Sequence, residues 1–360
     1  MTLGPDIAEL MARARADLRM GVPICIGPAL VLAAETLPQD RLRATRDLGS
    51  PVLAITQHRA TTLKARAYDG DLARVHLPID ADRAWVQALA DPVDDLRVPM
   101  KGPLSTERDG NADLHRAALM LCKAARLLPA AIVLTAMPED FAETNGLTYL
   151  PPSETLHHLT IRSPLQDVVS AALPMEVSEN GRLHVFRPKD GGEEHYAIEI
   201  GRPARDTPVL SRLHSACFTG DLLGCLKCDC GPQLRGALRQ MGEAGSGSLL
   251  YLNQEGRGIG LANKMRAYAL QDQGFDTVEA NHRLGFEDDE RDFRLGADIL
   301  RALGFSSVRL MTNNPAKVAM LETCGLSVVE RVPLNDGETD FNRATHGSKA
   351  AKSGHLWRGA

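Results

Sequence analysis

The chain has no excess of basic residues, no long apolar run and no phosphate-binding loop of the common NTPase type. Its 360 residues carry a formal charge of −5, so the sequence offers no basic field for tracking nucleic acid. No apolar stretch approaches the roughly 20 residues of a membrane-spanning helix. Neither G-x-x-x-x-G-K-[ST] nor the H-x-E with P-C-x-x-C of zinc nucleobase deaminases occurs. We therefore expect neither a nucleic-acid partner nor a membrane partner.

Cysteines are few but unevenly distributed, since four of the seven lie between Cys217 and Cys230. The N-terminal segment is amphipathic and carries Asp6 and Glu9, which is not the pattern of a signal peptide, so we expect a cytoplasmic protein. Cysteines are reduced in that compartment. A local cluster there indicates metal binding or catalysis more than disulfides.

Composition and hydrophobic pattern divide the chain near residues 160–172 and predict an α/β (α+β) protein of two domains. The predicted ranges are 1–165 for a first α/β domain, 172–345 for a second α/β domain with a mixed sheet, and 346–360 for a C-terminal tail. The first part has strand-like runs, "VPICIG" and "SPVLAIT", and a long amphipathic helix, "NADLHRAALMLCKAARLLP". The second opens with a predicted hairpin, "GRLHVFRP" and "EEHYAIEIG". Strands and helices then alternate, so ligands are expected on loops beyond strand ends.

Two helices of the second part are predicted in more detail. Pro232 is expected at the first helical position of the helix that contains "QLRGALRQMGEAG". The segment "LANKMRAYALQDQG" has the period of an amphipathic helix, and its predicted apolar stripe consists of Leu261, Met265, Tyr268 and Ala269.

Three of the clustered cysteines, Cys217, Cys228 and Cys230, have the spacing C-x10-C-x-C next to a predicted helix start. A helix N-terminus and a bound cation both favour thiolate over thiol, and zinc takes a tetrahedral set of such soft ligands. Three protein ligands leave a fourth position open, as in catalytic zinc sites. Two alternatives stay open: the cysteines are inert buried residues, or Cys225 closes the site as a fourth ligand.

Two loops have the character of anion sites. The segments "QEGRGIG" and "TNNPAKV" each follow a predicted strand and precede a predicted helix. Backbone N–H groups there, with Arg257 and Lys317, can bind an anion, although a tight turn also explains such loops. In "GFEDDERDFRLGAD" the charges either form a solvated helix start or provide a carboxylate base and, in Arg291, a phosphate-binding group.

Several of these motifs together resemble the GTP cyclohydrolase II family. They are "SRLHSACFTGDLLGCLKCDCGPQL", "LLYLNQEGRGIGLANKMRAYALQDQG", "DTVEANHRLGFEDDERDF" and "RLMTNNPAKV", and they cover roughly residues 172–334 in consistent order. The resemblance implies that the imidazole ring of GTP is opened by hydrolysis, with release of formate and pyrophosphate. The expected product is a 2,5-diaminopyrimidinone ribosyl 5′-phosphate, in the first committed step of riboflavin synthesis.

The resemblance also implies roles for particular residues. It assigns one Zn²⁺ per chain to Cys217, Cys228 and Cys230, leaves Cys225 as a bystander, and directs a metal-activated water at C8 of guanine. The family's proton acceptor corresponds to Asp289. Three further roles complete the implied set. The resemblance places a nucleophile toward the α-phosphorus at Arg291 and a tyrosine that assists hydrolysis at Tyr268. It places GTP contacts at Arg212, Leu213, His214, Ser215, Ala216, Gln233, Glu255, Gly256, Arg257, Thr277, Thr312 and Lys317.

A guanidinium normally stays protonated, so the chemistry of Arg291 by itself supports only binding of phosphate. The family further suggests a homodimer, and the sequence leaves open whether Mg²⁺ accompanies the triphosphate. Two other functions stay open. One is a paralogue that acts on a different nucleotide, and the other is a GTP-binding regulator without turnover.

Some positions depart from the family patterns. Ala216 replaces an acid before the first zinc cysteine, and the tail lacks the usual Tyr-Leu-x-Thr-Lys stretch, which can alter the rate or the nucleotide accepted. The first half more faintly resembles dihydroxybutanone phosphate synthase. It lacks the acidic run expected after Ile26 and the Thr-Gly-x-Ser motif, and Ala117 stands where an acid would neighbour His115. We therefore expect a degenerate, inactive scaffold that contributes to dimerisation.

Overall fold

The structure is a computed structural model that describes residues 3–334, 336, 337 and 339. Its contacts divide the chain into two units. The first unit comprises the chain up to Ser163 together with Ala262–Asp289, and the second comprises Pro164–Leu261 together with the chain from Glu290 onward. The predicted domain ranges stay predictions, and the predicted tail 346–360 lies outside the described residues.

The elements up to residue 163 belong to the first unit. In chain order they are α1 (Ile7–Arg19), β1 (Ile24–Ile26), β2 (Ala29–Ala33), α2 (Gln39–Leu48), β3 (Val52–Thr56), α3 (Gln57–Leu63), β4 (Leu72–His76), α4 (Arg83–Ala90), α5 (Asp113–Ala124), β5 (Ala130–Leu134), α6 (Phe141–Thr144), β6 (Tyr149–Leu150) and α7 (Pro152–Thr160).

The remaining elements follow from residue 165 onward. They are β7 (Leu165–Ala172), β8 (Gly181–Pro188), β9 (His195–Ile200), β10 (Val209–Ser215), a π-helical turn (Phe218–Leu222), α8 (Cys230–Glu243), β11 (Gly247–Leu252), a 3-10 turn (Glu255–Gly258), α9 (Leu261–Asp272), α10 (Thr277–Leu284), α11 (Arg294–Ala302), β12 (Ser307–Met311), α12 (Pro315–Thr323) and β13 (Ser327–Val332).

The first unit is built on a six-stranded sheet with the order β4-β3-β5-β2-β1-β6. Its pairs are antiparallel except for β1 with β6. Strands β1, β2, β3 and β5 are buried along their whole length. Continuous apolar sequences such as these are typical of strands that are covered on both faces of the sheet. Leu18 of α1 and Leu121 of α5 belong to the same buried core.

The second unit contains a seven-stranded sheet with the order β13-β12-β10-β11-β9-β8-β7. The strands from β13 to β11 are parallel, and those from β11 to β7 are antiparallel. The predicted α/β class with a mixed sheet is confirmed, and so is the hairpin of β8 and β9. Parallel β10, β11 and β12 end at the same edge, where ligands of such sheets bind.

Two predicted details of the helices are wrong. Helix α8 begins at Cys230, so Pro232 is its third residue and not its first. In α9 the predicted stripe fails, since Leu261 and Met265 are exposed, whereas the buried positions are Asn263, Lys264, Ala267 and Leu270. The polar Asn263 can be buried because its Nδ2 donates to the carbonyl of Arg126 at 3.2 Å. Among the described residues no helix combines the length and apolar character that crossing a membrane requires.

Candidate active site

Three cysteine side chains meet beyond the end of β10. Cys217 follows that strand, Cys228 lies in the next loop, and Cys230 is the first residue of α8. Their Sγ atoms all lie within 4.8 Å of one another, and those of Cys217 and Cys228 are 3.7 Å apart. In the described part of the chain this is the group of cysteine, histidine and acidic residues that can hold a metal ion.

The geometry of the cluster fits zinc. With Zn–S bonds of about 2.3 Å, two sulfurs of a tetrahedral site lie about 3.8 Å apart, close to the 3.7 Å between Cys217 and Cys228. Gly220 lines the cluster, and its N–H donates to Cys217 Sγ at 3.3 Å. A Cβ at Gly220 would lie 2.8 Å from Cys228 Sγ and 2.9 Å from Cys217 Sγ, so only glycine leaves the sulfurs room.

The protonation of the thiols depends on a cation. Hydrogen bonding with Cys217, together with burial, raises the pKa of Cys228 to about 11 and raises that of Cys230 well above its usual value. Three thiolates this close repel one another and do not ionise together without a compensating charge. A divalent ion would supply that charge, and its binding would release protons. The donor set is therefore one that a soft divalent metal can complete.

Asp221 fixes the backbone of Cys217. Its carboxylate accepts hydrogen bonds from Cys217 N at 3.0 Å and from the hydroxyl of Tyr251 at 2.9 Å, and each of its oxygens lies 3.1 Å from His214 Nε2. Burial lowers the pKa of His214 and, with the charge of Asp221, raises that of Tyr251. Sequence reasoning missed Asp221 and Tyr251, although both lie inside the quoted motifs.

A second network joins Arg212 to the start of α8. The guanidinium of Arg212 donates to Gln233 Oε1 at 2.6 Å and to the carbonyl of Met311 at 2.9 Å, and Gln233 donates to Asp229 Oδ2 at 2.6 Å. Burial lowers the pKa of Arg212 to about 10, so it stays charged at neutral pH. The structure thus brings two predicted GTP contacts together with Asp229, which lies between Cys228 and Cys230.

Two cations converge near the end of β10. Lys317 Nζ donates to the carbonyl of Leu213 at 3.2 Å and lies 4.3 Å from the ring centroid of Phe293. Arg291 donates to Ser215 Oγ at 3.2 Å and lies 4.6 Å from the same ring. Thr312 Oγ1 accepts from the N–H of residue 314 at 3.0 Å, at the start of α12. Cations beside a helix N-terminus suit an anionic group.

The loop that contains the 3-10 turn has an unusual backbone conformation. Gly256, Arg257 and Gly258 have φ angles of 63°, 60° and 93°, in the left-handed region that a non-glycine residue such as Arg257 rarely adopts. Glu255 accepts hydrogen bonds from Phe218 N at 2.6 Å and from Gly256 N at 2.9 Å. Phe218 directly follows the first cysteine of the cluster, so this loop is tied to the cysteine segment.

The chain has relatives among known proteins. A sequence model described as GTP cyclohydrolase II matches residues 166–333. The GTP cyclohydrolase-2 of Azospirillum brasilense is 43% identical over 360 residues, which cover 96% of this chain and 93% of that protein. The chain belongs to the GTP cyclohydrolase II family. It is therefore an enzyme of this type, a hydrolase.

Other members of the family match the second half. The GTP cyclohydrolase-2 of Histophilus somni (strain 2336) is 53% identical over 194 residues, covering 54% of this chain and 89% of that protein. The GTP cyclohydrolase-2 of Shigella dysenteriae serotype 1 (strain Sd197) is 58% identical over 192 residues, which cover 53% of this chain and 97% of that protein. The N-terminal residues are thus an addition to what these two GTP cyclohydrolases contain.

One solved structure is similar over most of the chain, but weakly. It is described as a two-domain 3,4-dihydroxy-2-butanone 4-phosphate synthase from A. baumannii, and it covers 89% of this chain and 98% of its own at 18% identity and a TM-score of 0.30. A score this low does not establish a common fold. The synthase-like nature of residues 1–165 therefore stays a prediction.

Ala216, in the second unit, donates its N–H to the carbonyl of Leu252 at 2.7 Å. Three other predicted residues lie in the first unit. Tyr268 is on α9, Thr277 is the first residue of α10, and Asp289 follows α10. Thr277 Oγ1 accepts a hydrogen bond from Gln271 at 3.1 Å. In the second unit, Cys225 donates its backbone N–H to a carbonyl at 2.9 Å, and the metal group formed by the described residues does not include it.

Proposed function

We propose that the protein is a zinc-dependent GTP cyclohydrolase II that opens the imidazole ring of GTP. The products would be formate, pyrophosphate and 2,5-diamino-6-(5-phosphoribosylamino)pyrimidin-4-one, in the first step of riboflavin biosynthesis. The observation that carries this proposal is the meeting of Cys217, Cys228 and Cys230 within 4.8 Å, inside the segment that matches the family.

The three cysteines would hold the zinc ion as thiolates. When bound, zinc supplies Lewis acidity and lowers the pKa of water to about 7, so that a nucleophile is available at neutral pH. The N–H of Gly220 and the carboxylate of Asp221 hold Cys217 by its sulfur and its backbone. The position of Cys225 outside the sulfur group supports a site with three protein ligands.

The charged groups around β10 would bind the triphosphate. Lys317 and Arg291 both face the ring of Phe293, and each also contacts β10, so an oxyanion between them would meet two positive charges. Arg212 and Gln233 would extend this binding towards α8. In this proposal Arg291 binds phosphate through its fork of donors. In the further role that the family implies, a guanidinium nitrogen would lose its proton and form a bond to the α-phosphorus as the bond to the departing pyrophosphate breaks, and water would then hydrolyse the N–P bond and free the nucleotide.

The base of GTP would be handled by residues carried over from the family motif. Asp289 would accept the proton from the attacking water, because it is the residue of "DDERDF" that corresponds to the family's proton acceptor and a carboxylate can act as a general base. Tyr268 would assist the hydrolysis, and Thr277 would contact the nucleotide. We extend the proposal to a cytoplasmic homodimer, with Mg²⁺ accompanying the triphosphate.

The decisive experiment couples metal content to turnover. We expect about one zinc per chain and release of formate that depends on GTP. Asp289→Asn should lower kcat by about 10²- to 10⁴-fold, the range of general acid–base catalysis, while GTP still binds. Asp292→Asn is the matched control, since Asp292 is in the same motif but pairs with Arg294 at 2.7 Å.

Three outcomes would contradict the proposal. Full turnover without metal would remove zinc from the reaction. Formate release from another purine nucleotide but not from GTP would identify a paralogue with a different substrate. GTP binding without any formate would identify a regulator.

A further inference from the structure

The first unit combines the N-terminal residues with part of the segment that matches the family. The family match covers residues 166–333, and within it Ala262–Asp289 belongs to the first unit. This stretch contains nearly all of α9 and the whole of α10, which carry Tyr268 and Thr277. The contacts of this stretch connect the N-terminal residues to the two helices that carry these proposed site residues.

Arg266 connects α9 to the N-terminal residues through two ion pairs. Its Nε donates to Asp91 Oδ2 at 2.8 Å, and its Nη2 donates to Glu35 Oε1 at 3.1 Å. Its Nη1 donates to Asn263 Oδ1 at 2.7 Å, and Asn263 in turn reaches the carbonyl of Arg126. The side chains of Arg266, Glu35 and Asp91 are only 21%, 18% and 32% exposed, so water screens these pairs only partly.

Glu35 is itself held in place. Its second oxygen accepts the backbone N–H of Leu128 at 2.7 Å. One carboxylate therefore links the chain before β5 to Arg266 on α9. A guanidinium bound along several of its edges has little freedom to rotate, because its donors form a rigid planar fork.

Helix α10 and its C-terminal end are connected to the same N-terminal residues. The hydroxyl of Thr56 donates to the carbonyl of Gly285 at 2.8 Å. Gly285 has a φ of 88°, and a Cβ there would lie 2.8 Å from that hydroxyl, so the close approach requires glycine. His58 stacks on His282 with centroids 3.9 Å apart. Gln273, between the two helices, donates to the carbonyl of Val93 at 2.9 Å.

We propose that Arg266, held by Glu35 and Asp91, is a positioning residue through which the N-terminal residues orient the α9–α10 segment for catalysis. Successive residues of an α-helix are about 100° apart, so Tyr268 points to a different side of α9 from Arg266. Fixing Arg266 fixes the rotation of the helix and with it the direction of Tyr268. This inference rests on the proposed role of Tyr268 in GTP hydrolysis.

The test uses the full-length chain with Glu35→Gln and Asp91→Asn combined, which removes both charges and keeps side-chain size. Hydrogen exchange should become about tenfold faster in residues 262–289 and stay unchanged in the sheet of the second unit. The kcat for GTP should fall about tenfold, since small misplacements of catalytic groups cost one to two orders of magnitude. The KM should change less than the kcat, because Thr277 is the one proposed nucleotide contact in residues 262–289 and the phosphate-binding cations lie in the second unit. Zinc content should not change, because the cysteines also lie in the second unit.

A second variant and a control complete the design. Arg266→Lys keeps the positive charge but loses the planar fork of donors. The rate of hydrogen exchange in residues 262–289 and the kcat of this variant should therefore lie between those of the wild type and the double variant. It keeps the proposal falsifiable if the double variant does not fold. Asp71→Asn removes a similar pair with Arg116, 2.6 Å apart in the same unit, and should alter neither measurement.

Unchanged exchange in residues 262–289 would overturn the proposal, and so would faster exchange spread evenly over the whole chain. Faster exchange with an unchanged kcat would also overturn it. Failure of the proposed function gives a different result, because the wild type itself would then release no formate from GTP. The exchange measurement would still show whether Arg266 holds the segment.

Discussion

A single methyl group at Gly220 should weaken zinc binding at the cysteine cluster. In Gly220→Ala the new Cβ would lie 2.8 Å from Cys228 Sγ, 2.9 Å from Cys217 Sγ and 3.0 Å from Cys230 Cβ. All three cysteines are therefore crowded by one substitution. The backbone of Gly220 is also held, because its N–H donates to Cys217 Sγ, so the glycine cannot simply move away.

The size of the effect follows from the distances. Ordinary contacts between heavy atoms lie at about 3.5–4.0 Å, so the sulfurs and the new methyl must separate by roughly 0.7 Å. Metal–ligand distances tolerate only about 0.2 Å. Since the required shift exceeds this tolerance, we expect zinc affinity to fall by about 10- to 100-fold, or about 1.4–2.7 kcal/mol, as for other changes next to metal ligands.

The assay is competition for zinc between the protein and a chromophoric chelator, which does not depend on turnover. Gly192→Ala is the matched control, because it adds the same methyl in the β8–β9 turn, where the nearest atom is Asp190 Oδ1 at 3.0 Å. That oxygen ends a side chain that can move aside. Zinc affinity of Gly220→Ala equal to that of the wild type would refute the reasoning.

Two further substitutions test the site and the fold. Cys225→Ala should leave zinc content and formate release unchanged, and loss of the metal would show that Cys225 is a fourth ligand. His115→Leu should flatten the pH dependence of stability in urea unfolding. Burial lowers the pKa of folded His115 from 6.5 to about 4, so the unfolded chain binds more protons in that window. Wild-type stability should therefore drop by about 3 kcal/mol more than that of His115→Leu between pH 7 and pH 4, and parallel curves would contradict this.

Local patterns in the sequence were sufficient to predict several features of the second unit. The alternation in β8 and β9 predicted their hairpin, because side chains on a strand point to opposite faces in turn. The cysteines were also predictable as a group. Cys228 and Cys230 are close in the chain, and Cys217 lies two residues after the end of β10. Short separations leave few alternatives for such side chains.

The buried face of α9 was not predictable in the same way. The hydrophobic periodicity predicted that Leu261 and Met265 are buried, yet both are exposed, and Asn263 is buried instead. Asn263 is stabilised by the carbonyl of Arg126, which is 137 residues away in the chain. No local pattern contains such a partner, and a buried polar group is acceptable only where a partner exists.

By itself the sequence determined the family, the mixed α/β class and the three sulfur atoms that can hold a metal. Motif order and residue spacing are properties of the chain itself, so they can be read without knowing how the chain folds. Tertiary structure alone decided what supports them. The carboxylate of Asp221 meets Tyr251 because β10 and β11 pair in parallel, with His214 opposite Tyr251. Arg266 meets Glu35 across 231 residues of chain, since packing brings α9 against the N-terminal residues. Such long-range contacts depend on the whole arrangement of strands and helices, and not on any neighbouring residues.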